Sequence, residues 1–319
     1  MDLKTTSEQI TFSFIIANYN SEKFIEEAIR SIINQTYDCW ELIIVDDYSD
    51  DNSVAKIKSF LHDKRIRLIC LNKNRGVGFA SKIAINNARN DVIVVLDNDD
   101  KLHKNALNIL KKAYDRYHKC GFIYTKMWIC DENLEHCKVY NWIKPIYPPK
   151  TAIFFTPVAH LRSFRKSAYV KTSGYDIYEH ETNDKDIIYK LEEVTDFKYI
   201  DVPLYYYRTH EKGLTQGKKQ LISKIHCFMA KRKAHERRIK MEKNIPCYKL
   251  RYLFLYLKAI LYLFKSKSKS INHSKGFNIF IRNIRLKIID ISLEIFIFIY
   301  GIIFNLIYKF KKLSKKNKG

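Results

Sequence analysis

Three carboxylates stand within four residues in the segment Asp97-Asn98-Asp99-Asp100, directly after an apolar run. Carboxylates this close repel one another unless a cation or hydrogen-bond donors offset their charge. Mg²⁺ and Mn²⁺ bind carboxylate oxygens and keep coordination positions open for phosphate oxygens, so the segment suits a metal–phosphate site. A solvated turn in which Asp100 caps the next helix explains the same residues. The segment alone leaves both interpretations open.

The elements that must position these carboxylates are strands alternating with helices. Apolar runs predict strands at residues 13–17, 41–47, 66–71 and 91–97. Segments of helical periodicity separate them, and the first covers 21–35 with Ser21 as its N-cap. This alternation is typical of βαβ units and predicts an α/β fold with a mostly parallel sheet. Because such sheets bind ligands beyond the carboxyl ends of their strands, we expect the polar residues that follow each strand to form one rim.

Six segments match, in chain order, the motifs of one known family. They are IIANYN (15–20), VDDYSDDNS (45–53), NKNRGVGFASKIAI (72–85), VVLDNDD (94–100), GYD with NDKDI (174–176 and 183–187), and VPLYYYRTHEKGLT (202–215). The second resembles the signature VDDGSTDNS, and the fourth resembles LDSDD with its metal-binding D-x-D pattern. Each is weak evidence alone, but together they resemble glycosyltransferase family 2 over residues 10–216.

The resemblance implies a GT-A catalytic domain at residues 1–216, which moves a sugar from a nucleotide-diphosphate donor to a hydroxyl with inversion. The donor nucleotide is expected to contact Ala17, Tyr19, Asp46, Asn74, Asp97 and Asn98. A hydrogen bond from a base N–H to Asp46 favours uracil, and therefore a UDP-sugar. Asp99 and His210 are expected to bind the metal cofactor, Mn²⁺ or Mg²⁺. Asp184 is expected to be the general base.

These residue types suit the chemistry of glycosyl transfer. A nucleoside diphosphate leaves with about three negative charges, which a divalent ion stabilises. One carboxylate near the acceptor hydroxyl removes its proton as the new bond forms. A single base with in-line attack inverts the anomeric carbon, in contrast to the two-carboxylate scheme of hydrolases.

Four places depart from the family's motifs, and one of them is Ser81-Lys82, which replaces the Arg-Asn that follows the Ala of the third predicted helix. Ala17 replaces Pro, Tyr48 replaces Gly at a turn that can require a positive φ, and Asn183 replaces the Glu before the catalytic Asp. Tyr48 and Asn183 suggest an alternative, a catalytically silent family member that acts as a binding or scaffold subunit. Asp184 as a solvent-facing helix residue and His210 as an ordinary histidine are further alternatives.

A different nucleotide site starts from Gly76-Val77-Gly78, a short glycine pair before a predicted helix. Such a pair can hold a phosphate, as in a dinucleotide fold. The pair follows the third predicted strand and has neither the third glycine nor the acidic partner of that fold. We therefore rank this interpretation below the glycosyltransferase one.

Charge is distributed unevenly along the chain. Residues 1–210 hold 30 Lys and Arg against 29 Asp and Glu, whereas 211–319 hold 27 against 5. We therefore separate a basic helical C-terminal region, 217–319, from the catalytic domain. Its apolar segments 250–264 and 288–308, flanked by lysines, predict helices that lie in or span an anionic membrane.

This C-terminal extension leads to a prediction about location and acceptor. The expected location is the cytoplasmic face of a bacterial inner membrane, with a glycan or lipid-linked acceptor in polysaccharide or lipooligosaccharide synthesis. A buried helix pair is the structural alternative. Charge alone would also allow a nucleic-acid-binding protein, but long apolar runs do not suit that function, and no nucleic acid is expected.

The seven cysteines form no CxxC pair and no metal-finger spacing. Several, including Cys70 and Cys120, stand among apolar residues, so we expect small buried side chains in a reducing compartment. The N-terminus lacks the charged and apolar regions of a signal peptide, which favours a cytoplasmic domain.

Overall fold

The computed structural model describes residues 9–147, 151–153, 158–177, 183–210 and 219–241. Its strands are β1 (Phe12–Asn18), β2 (Trp40–Asp46), β3 (Ile66–Cys70), β4 (Val92–Val95), β5 (Lys101–Leu102), β6 (Cys120–Cys130), β7 (Lys138–Val139), β8 (Arg162–Arg165) and β9 (Asp196–Arg208). Its helices are α1 (Ile25–Ile33), α2 (Ser53–Lys58), α3 (Val77–Asn87), α4 (Ala106–Arg116), α5 (Lys166–Tyr169), α6 (Asn183–Val194) and α7 (Lys219–Lys240). All of them lie in one unit, Met1–Lys243.

One sheet of nine strands organises these elements, in the order β3-β2-β1-β4-β8-β6-β9-β5, with β7 paired to β6. The half formed by β3, β2, β1 and β4 is parallel, as the βαβ pattern predicts. In the other half β8 runs antiparallel to β4 and β6, while β9 runs parallel to β6. The α/β prediction is confirmed, but the sheet is mixed rather than mostly parallel. Parallel pairing needs a crossover connection, and regular helical crossovers end after α4.

The parallel half is buried on both faces, which explains its continuous apolar runs. Every residue of β2 and β4 is buried, and β1 is nearly so. The first helix differs from the prediction, because α1 begins at Ile25 and Ser21 does not cap it. Instead the Ser21 carbonyl accepts from the N–H groups of Phe24 and Ile25, and its hydroxyl donates to Asn18 Oδ1. The segment between β1 and α1 is therefore a turn tied to the end of β1.

The basic helix α7 packs against the acidic helix α6. Arg237 Nε lies 2.9 Å from Glu193 Oε2, and Arg238 Nη2 lies 2.8 Å from Glu192 Oε2. Ala230 and Ala234 are fully buried, so the contact also has an apolar part.

The rest of the predicted C-terminal region, including the segments 250–264 and 288–308, lies outside the described residues. Among the helices of the described ranges, none combines the length and apolar character needed to cross a membrane.

The cysteines differ from the expectation of small buried side chains in a reducing compartment, where disulfides are rare. Cys130 and Cys137 form a disulfide that joins the end of β6 to the start of β7. Their separation of seven residues brings the thiols together because the chain reverses between these two strands, which pair antiparallel. Cys70 is exposed, since it ends the edge strand β3, whereas Cys120 is buried as expected.

Candidate active site

The carboxyl ends of β1 and β2 bring two polar segments together. Asn18 Nδ2 donates to Asp46 Oδ1 at 2.7 Å, and the Asp47 N–H donates to the Asn18 carbonyl at 2.8 Å. Asp46 is 2% exposed and also accepts from Ser49, at 2.6 Å from Oγ and 3.0 Å from the backbone N–H. Asp46 therefore closes the turn after β2, and its contact with the nucleobase of the donor stays a prediction.

The same turn places Tyr48 in the left-handed region, with a φ of 68°, as the replacement of Gly predicted. This conformation costs a residue with a side chain roughly 1–2 kcal/mol. Tyr48 is exposed, and so is Tyr19 in the neighbouring loop. The Asn20 N–H donates to Ser49 Oγ at 3.0 Å and ties the two loops together. Two exposed tyrosines thus lie at the rim where the nucleobase of the donor is expected.

Asp47 holds the loop before α3. It accepts hydrogen bonds from the backbone N–H groups of Arg75 and Gly76, both at 2.7 Å. A phosphate bound as in a dinucleotide fold would need N–H groups at this helix start, and a carboxylate already occupies these two. The dinucleotide interpretation of Gly76-Val77-Gly78 is therefore disfavoured. Asn74 is exposed in this loop.

Strand β9 holds the carboxylate-rich turn after β4. Tyr205 Oη donates to Asp100 Oδ2 at 2.7 Å, and the Arg208 N–H donates to Asp100 Oδ1 at 2.8 Å. Asp100 is 1% exposed, and this burial, together with the neighbouring carboxylates, raises its pKa well above the ordinary value. The helix-capping alternative for Asp100 is wrong, because α4 begins only at Ala106.

Asp99 and His210 meet at this turn. His210 Nε2 lies 2.9 Å from Asp99 Oδ2, and the two side chains are 9% and 28% exposed. The ring of Phe24 packs against the His210 ring with centroids 4.9 Å apart. A carboxylate oxygen and an imidazole nitrogen so close together can both bind one divalent ion, so these residues fit the expected metal.

Arg208 supports this pair from the protein interior. Its Nε donates to the Asp99 carbonyl at 2.6 Å, and its Nη2 lies 2.6 Å from Glu27 Oε2. The guanidinium also lies 4.5 Å from the centre of the Phe24 ring, and only 3% of the side chain is exposed. One buried cation therefore links α1, the carboxylate turn and the end of β9 that carries His210.

A second buried arginine, Arg162, joins the carboxylate turn to α6. Its Nη1 lies 2.9 Å from Asp184 Oδ2 and its Nη2 lies 3.8 Å from Asp97 Oδ1. The side chain of Arg162 is 7% exposed, whereas those of Asp184 and Asp97 are 36% and 41% exposed. Both carboxylates are thus held by protein on one side and remain open to solvent on the other.

The charges around the site set its pKa values in opposite directions. Desolvation alone would raise the pKa of Asp184, but the positive charges of Lys185 and Arg162 outweigh it and lower the pKa. Desolvation raises the pKa of Asp97 to about 6, against the opposing charge of Arg162, and the carboxylates of Asp99 and Asp184 add to the rise. The two carboxylates next to Arg162 therefore have different acidities.

His160 adds an unpredicted ligand to the same site. In the described part of the chain, Asp97, Asp100 and His160 place one ligand atom each within 4.8 Å of one another. His160 Nδ1 lies 3.2 Å from Arg162 Nη2, and burial, with the charge of Arg162, lowers the pKa of His160 well below its ordinary value. Because Asp100 already accepts two hydrogen bonds from β9, we regard this cluster as a less available metal site than Asp99 with His210.

The structure brings most of the predicted nucleotide residues to one rim. Ala17, Tyr19 and Asp46 lie at the ends of β1 and β2, and Asp97 and Asn98 follow β4. Asn98 Nδ2 lies 3.4 Å from Asn18 Oδ1, which connects the ends of β4 and β1.

Sequence reasoning missed Arg162, His160 and the role of Arg208. Arg162 and His160 stand in the apolar stretch VAHLRSF, and a charged residue in such a run is a signal for a buried ion pair. Arg208 follows three tyrosines at the end of a strand, but its partner Glu27 is far away in the sequence, so no spacing connects them.

Comparison with known proteins identifies the family of this chain. The family described as Glycosyl transferase family 2 matches residues 13–172, half of the chain. The chain belongs to glycosyltransferase family 2. The family 2 match runs from β1 through α5 and includes the carboxylate turn and Arg162, while Asp184 and His210 lie beyond it.

Two family 2 relatives come from Escherichia coli. A chondroitin synthase is 31% identical over 195 residues, which are 60% of this chain and 28% of that protein. The UDP-Glc:alpha-D-GlcNAc-diphosphoundecaprenol beta-1,3-glucosyltransferase WfgD is 37% identical over 97 residues, which are 30% of this chain and 38% of that protein. The chain therefore matches less than half of the length of either relative.

A solved structure supports the fold. TarS 1-349 of S. aureus, in complex with UDP-GlcNAc, has a TM-score of 0.65 at 17% identity, over 78% of this chain and 73% of that one. With the family 2 match, this likeness shows a GT-A-like α/β fold.

Proposed function

We propose that this chain transfers one hexose-type sugar from a UDP-sugar to a hydroxyl of a glycan or lipid-linked acceptor, with inversion at the anomeric carbon. The observation that carries the proposal is the pair of contacts from Arg162 to Asp184 and Asp97, at 2.9 and 3.8 Å. They hold the proposed base on α6 against the turn that is expected to bind the donor. Glycosyl transfer needs this proximity, because acceptor and leaving group act on the same carbon.

The proposed donor is a UDP-sugar. Tyr19 and Asp46 stand where the resemblance expects the base, at the ends of β1 and β2. The name of WfgD includes UDP-Glc, and TarS was crystallised with UDP-GlcNAc. These relatives support a uridine nucleotide as the donor. Because one name gives UDP-Glc and the other gives UDP-GlcNAc, they do not indicate which sugar is transferred.

The proposed metal ligands are Asp99 and His210, which lie 2.9 Å apart. When bound, Mn²⁺ or Mg²⁺ supplies positive charge that stabilises the departing diphosphate. The protein itself fixes the positions of these two ligands. Arg208 donates to the Asp99 carbonyl, and the Phe24 ring packs against the His210 ring.

The proposed general base is Asp184. Its lowered pKa keeps the carboxylate ionised at neutral pH, so it is ready to accept the proton of the acceptor hydroxyl. Arg162 orients this carboxylate at 2.9 Å, while 36% of the side chain remains exposed toward an acceptor. One base on the acceptor side supports the inverting mechanism.

Donor screening tests the proposal. Purified protein is incubated with an acceptor extract, Mn²⁺ and each of UDP-glucose, UDP-galactose and their N-acetyl derivatives, with GDP-mannose as the nucleotide control. We expect UDP release and a labelled glycan with one UDP-sugar, and loss of both when EDTA removes the metal. If no donor gives release, the chain is instead the silent binding or scaffold subunit that Tyr48 and Asn183 suggested.

We also propose that the chain works on the cytoplasmic face of a bacterial inner membrane, in polysaccharide or lipooligosaccharide synthesis. Residues 211–319 hold 27 Lys and Arg against 5 Asp and Glu, and each basic residue near an anionic leaflet contributes about 1 kcal/mol of binding. The name of WfgD includes alpha-D-GlcNAc-diphosphoundecaprenol, a sugar linked to a lipid, and this supports a lipid-linked acceptor here.

Cell fractionation tests the location. The full chain is expected in the membrane pellet, and a chain ending at Lys243 is expected in the soluble fraction. The shortened chain keeps α7, so its contacts with α6 are preserved. Full-length protein that stays soluble at low salt would contradict the membrane proposal.

A further inference from the structure

Trp142 has the most exposed large hydrophobic side chain in the described part of the molecule, at 78%. Tryptophan is usually largely buried, because its ring is the largest apolar side-chain surface. The other two tryptophans follow this rule, since Trp40 is 4% exposed and Trp128 is partly buried against the ring of Tyr206. The exposure of Trp142 therefore needs an explanation.

The backbone around Trp142 is firmly anchored. The next residue, Ile143, is fully buried. The carbonyl of Lys144 accepts a hydrogen bond from Tyr124 Oη at 2.8 Å. A fixed backbone that carries an exposed ring is typical of a binding surface, because the ring is positioned before any ligand arrives.

These anchors connect the segment of Trp142 to the sheet face that carries Arg162. Tyr124 on β6 is the register partner of Arg162 on β8. Directly paired residues on antiparallel strands point to the same face of a sheet, so the segment held by Tyr124 lies on the face where Arg162 contacts Asp184.

A second anchor comes from the helix that carries the proposed base. The Ala152 N–H donates to Glu192 Oε1 at 2.7 Å, and Glu192 lies two turns along α6 from Asp184. The chain before residues 148–150 is therefore tied to β6, and the chain after them is tied to α6, the helix that carries Asp184. The nucleotide rim, in contrast, lies at the ends of β1 and β2, on the other side of β4 and β8 in the strand order.

We propose that Trp142 is a stacking platform for a pyranose ring of the acceptor glycan. This inference rests on the proposed function and names the substrate class that reaches Asp184 from this side. A pyranose has a face of C–H groups that packs on an aromatic ring, while its hydroxyls stay in water or bind nearby polar groups. Asn141 and Lys144, both exposed, supply such groups on either side of the ring. Val139 and Tyr147 in the same segment are also exposed, at 39% and 67%, but they stand among exposed polar residues. Such a mixed surface suits a sugar better than a protein partner, which would need a larger continuous apolar patch.

Acrylamide quenching of tryptophan fluorescence tests the platform. Trp142 contributes most of the quenchable emission, because the other two tryptophans are shielded. The probes are chitotetraose, which is uncharged, and a chondroitin tetrasaccharide, which carries carboxylates. At saturation by either probe, the quenching constant of the wild-type chain is expected to fall about twofold. The variant Trp142→Phe is expected to show no probe-dependent change, while Trp128→Phe keeps the wild-type response.

If neither saccharide protects Trp142 from acrylamide quenching, the inference is overturned. UDP binding in Mn²⁺, measured by calorimetry on the same preparation, tests the proposed function separately. Protection of Trp142 without UDP binding would support the platform and contradict the proposed donor. UDP binding without protection of Trp142 would support the proposed donor and contradict the platform.

A transfer assay gives a second test once an acceptor is known. Trp142→Ala is expected to raise the acceptor KM about tenfold, which corresponds to about 1.4 kcal/mol of lost stacking. Val170→Ala is the control, because Val170 is a 67% exposed apolar residue just after α5, and it is expected to leave the acceptor KM unchanged. Equal KM values for the two variants would contradict the platform.

Discussion

His210 Nε2 lies 2.9 Å from Asp99 Oδ2, although one residue follows β9 and the other follows β4. If the pair binds the metal, His210→Ala should weaken UDP binding in Mn²⁺ by at least about tenfold, an effect typical even of residues that only orient metal ligands. Calorimetry of UDP binding with Mn²⁺ and with EDTA measures this. His62→Ala is the control, since His62 is exposed and its Nδ1 lies 2.8 Å from the carbonyl of the nearby Ser59. Unchanged Mn²⁺-dependent affinity in His210→Ala would place the metal elsewhere.

Arg208 is expected to be essential for stability as well as for the site. Arg208→Met removes a buried guanidinium that donates to the carbonyls of Asp99 and Glu132 and pairs with Glu27. We expect the free energy of unfolding to fall by about 2–3 kcal/mol, in the range for losing hydrogen bonds to a charged group. Urea unfolding measures it, with Arg30→Met as a control for an exposed ion pair, where a loss below about 1 kcal/mol is expected. Equal losses in the two variants would refute the role of Arg208.

Tyr48 should carry measurable backbone strain. The left-handed conformation costs a non-glycine residue about 1–2 kcal/mol, while glycine adds about 0.4–1 kcal/mol of unfolded-state entropy. We therefore expect Tyr48→Gly to unfold with a free energy roughly 0.5–1 kcal/mol above that of Tyr48→Ala, which keeps the strain. Urea unfolding of the two variants gives the comparison. A Tyr48→Ala chain as stable as Tyr48→Gly would show that the turn is unstrained.

Glu41 predicts a pH dependence of stability away from the active site. Desolvation would raise its pKa, but hydrogen bonds from Ser13 and the Arg89 N–H, both at 2.6 Å, and the charge of Arg67 lower the pKa from 4.5. A carboxyl whose pKa is lower in the folded chain than in the unfolded chain stabilises the fold at any pH above its unfolded pKa. This stabilisation disappears as the pH falls through the pKa of the folded chain.

Glu41→Gln should therefore lower the free energy of unfolding at pH 7 by about 1.5–3 kcal/mol, the range for hydrogen bonds to charged groups. The gap between wild type and variant should narrow as the pH falls below about 4.5. Denaturant unfolding over this pH range measures it, with Glu26→Gln as the control, because Glu26 is half-exposed and its ion pairs are long, at 3.7 Å. A gap that stays constant with pH would contradict the assignment.

The parallel half of the fold was predictable, because buried strands and amphipathic helices leave strong periodic patterns. The runs from Phe12 to Val95 contain β1 to β4 and α1 to α3, at nearly their observed positions. Strands β5, β7 and β8 have two to four residues and no periodic pattern, so the sequence did not reveal them. The antiparallel direction of β8 was also hidden, because it depends on long-range pairing.

Individual residues of the candidate site were predictable where each stands in a recognisable sequence motif. Asp99 and His210 were named from separate motifs, and the structure brings them together. Their supports, Arg208 and Arg162, contact partners that are distant in the sequence, and only the fold shows those contacts. Asp46 shows the opposite case, since its motif predicts a base contact but its oxygens already accept hydrogen bonds from Asn18 and Ser49.

The proposed base, Asp184, gives the most direct test of the account. Asp184→Asn keeps the size of the side chain and its contact with Arg162 but removes the proton acceptor. With the UDP-sugar found by screening, we expect kcat to fall by about 10²- to 10⁴-fold, the contribution typical of general-base catalysis. The dissociation constant of UDP in Mn²⁺ is expected to stay within a few-fold of wild type, because a base acts only in the transition state. A variant that transfers sugar at the wild-type rate would show that Asp184 is not the base and would contradict the central claim.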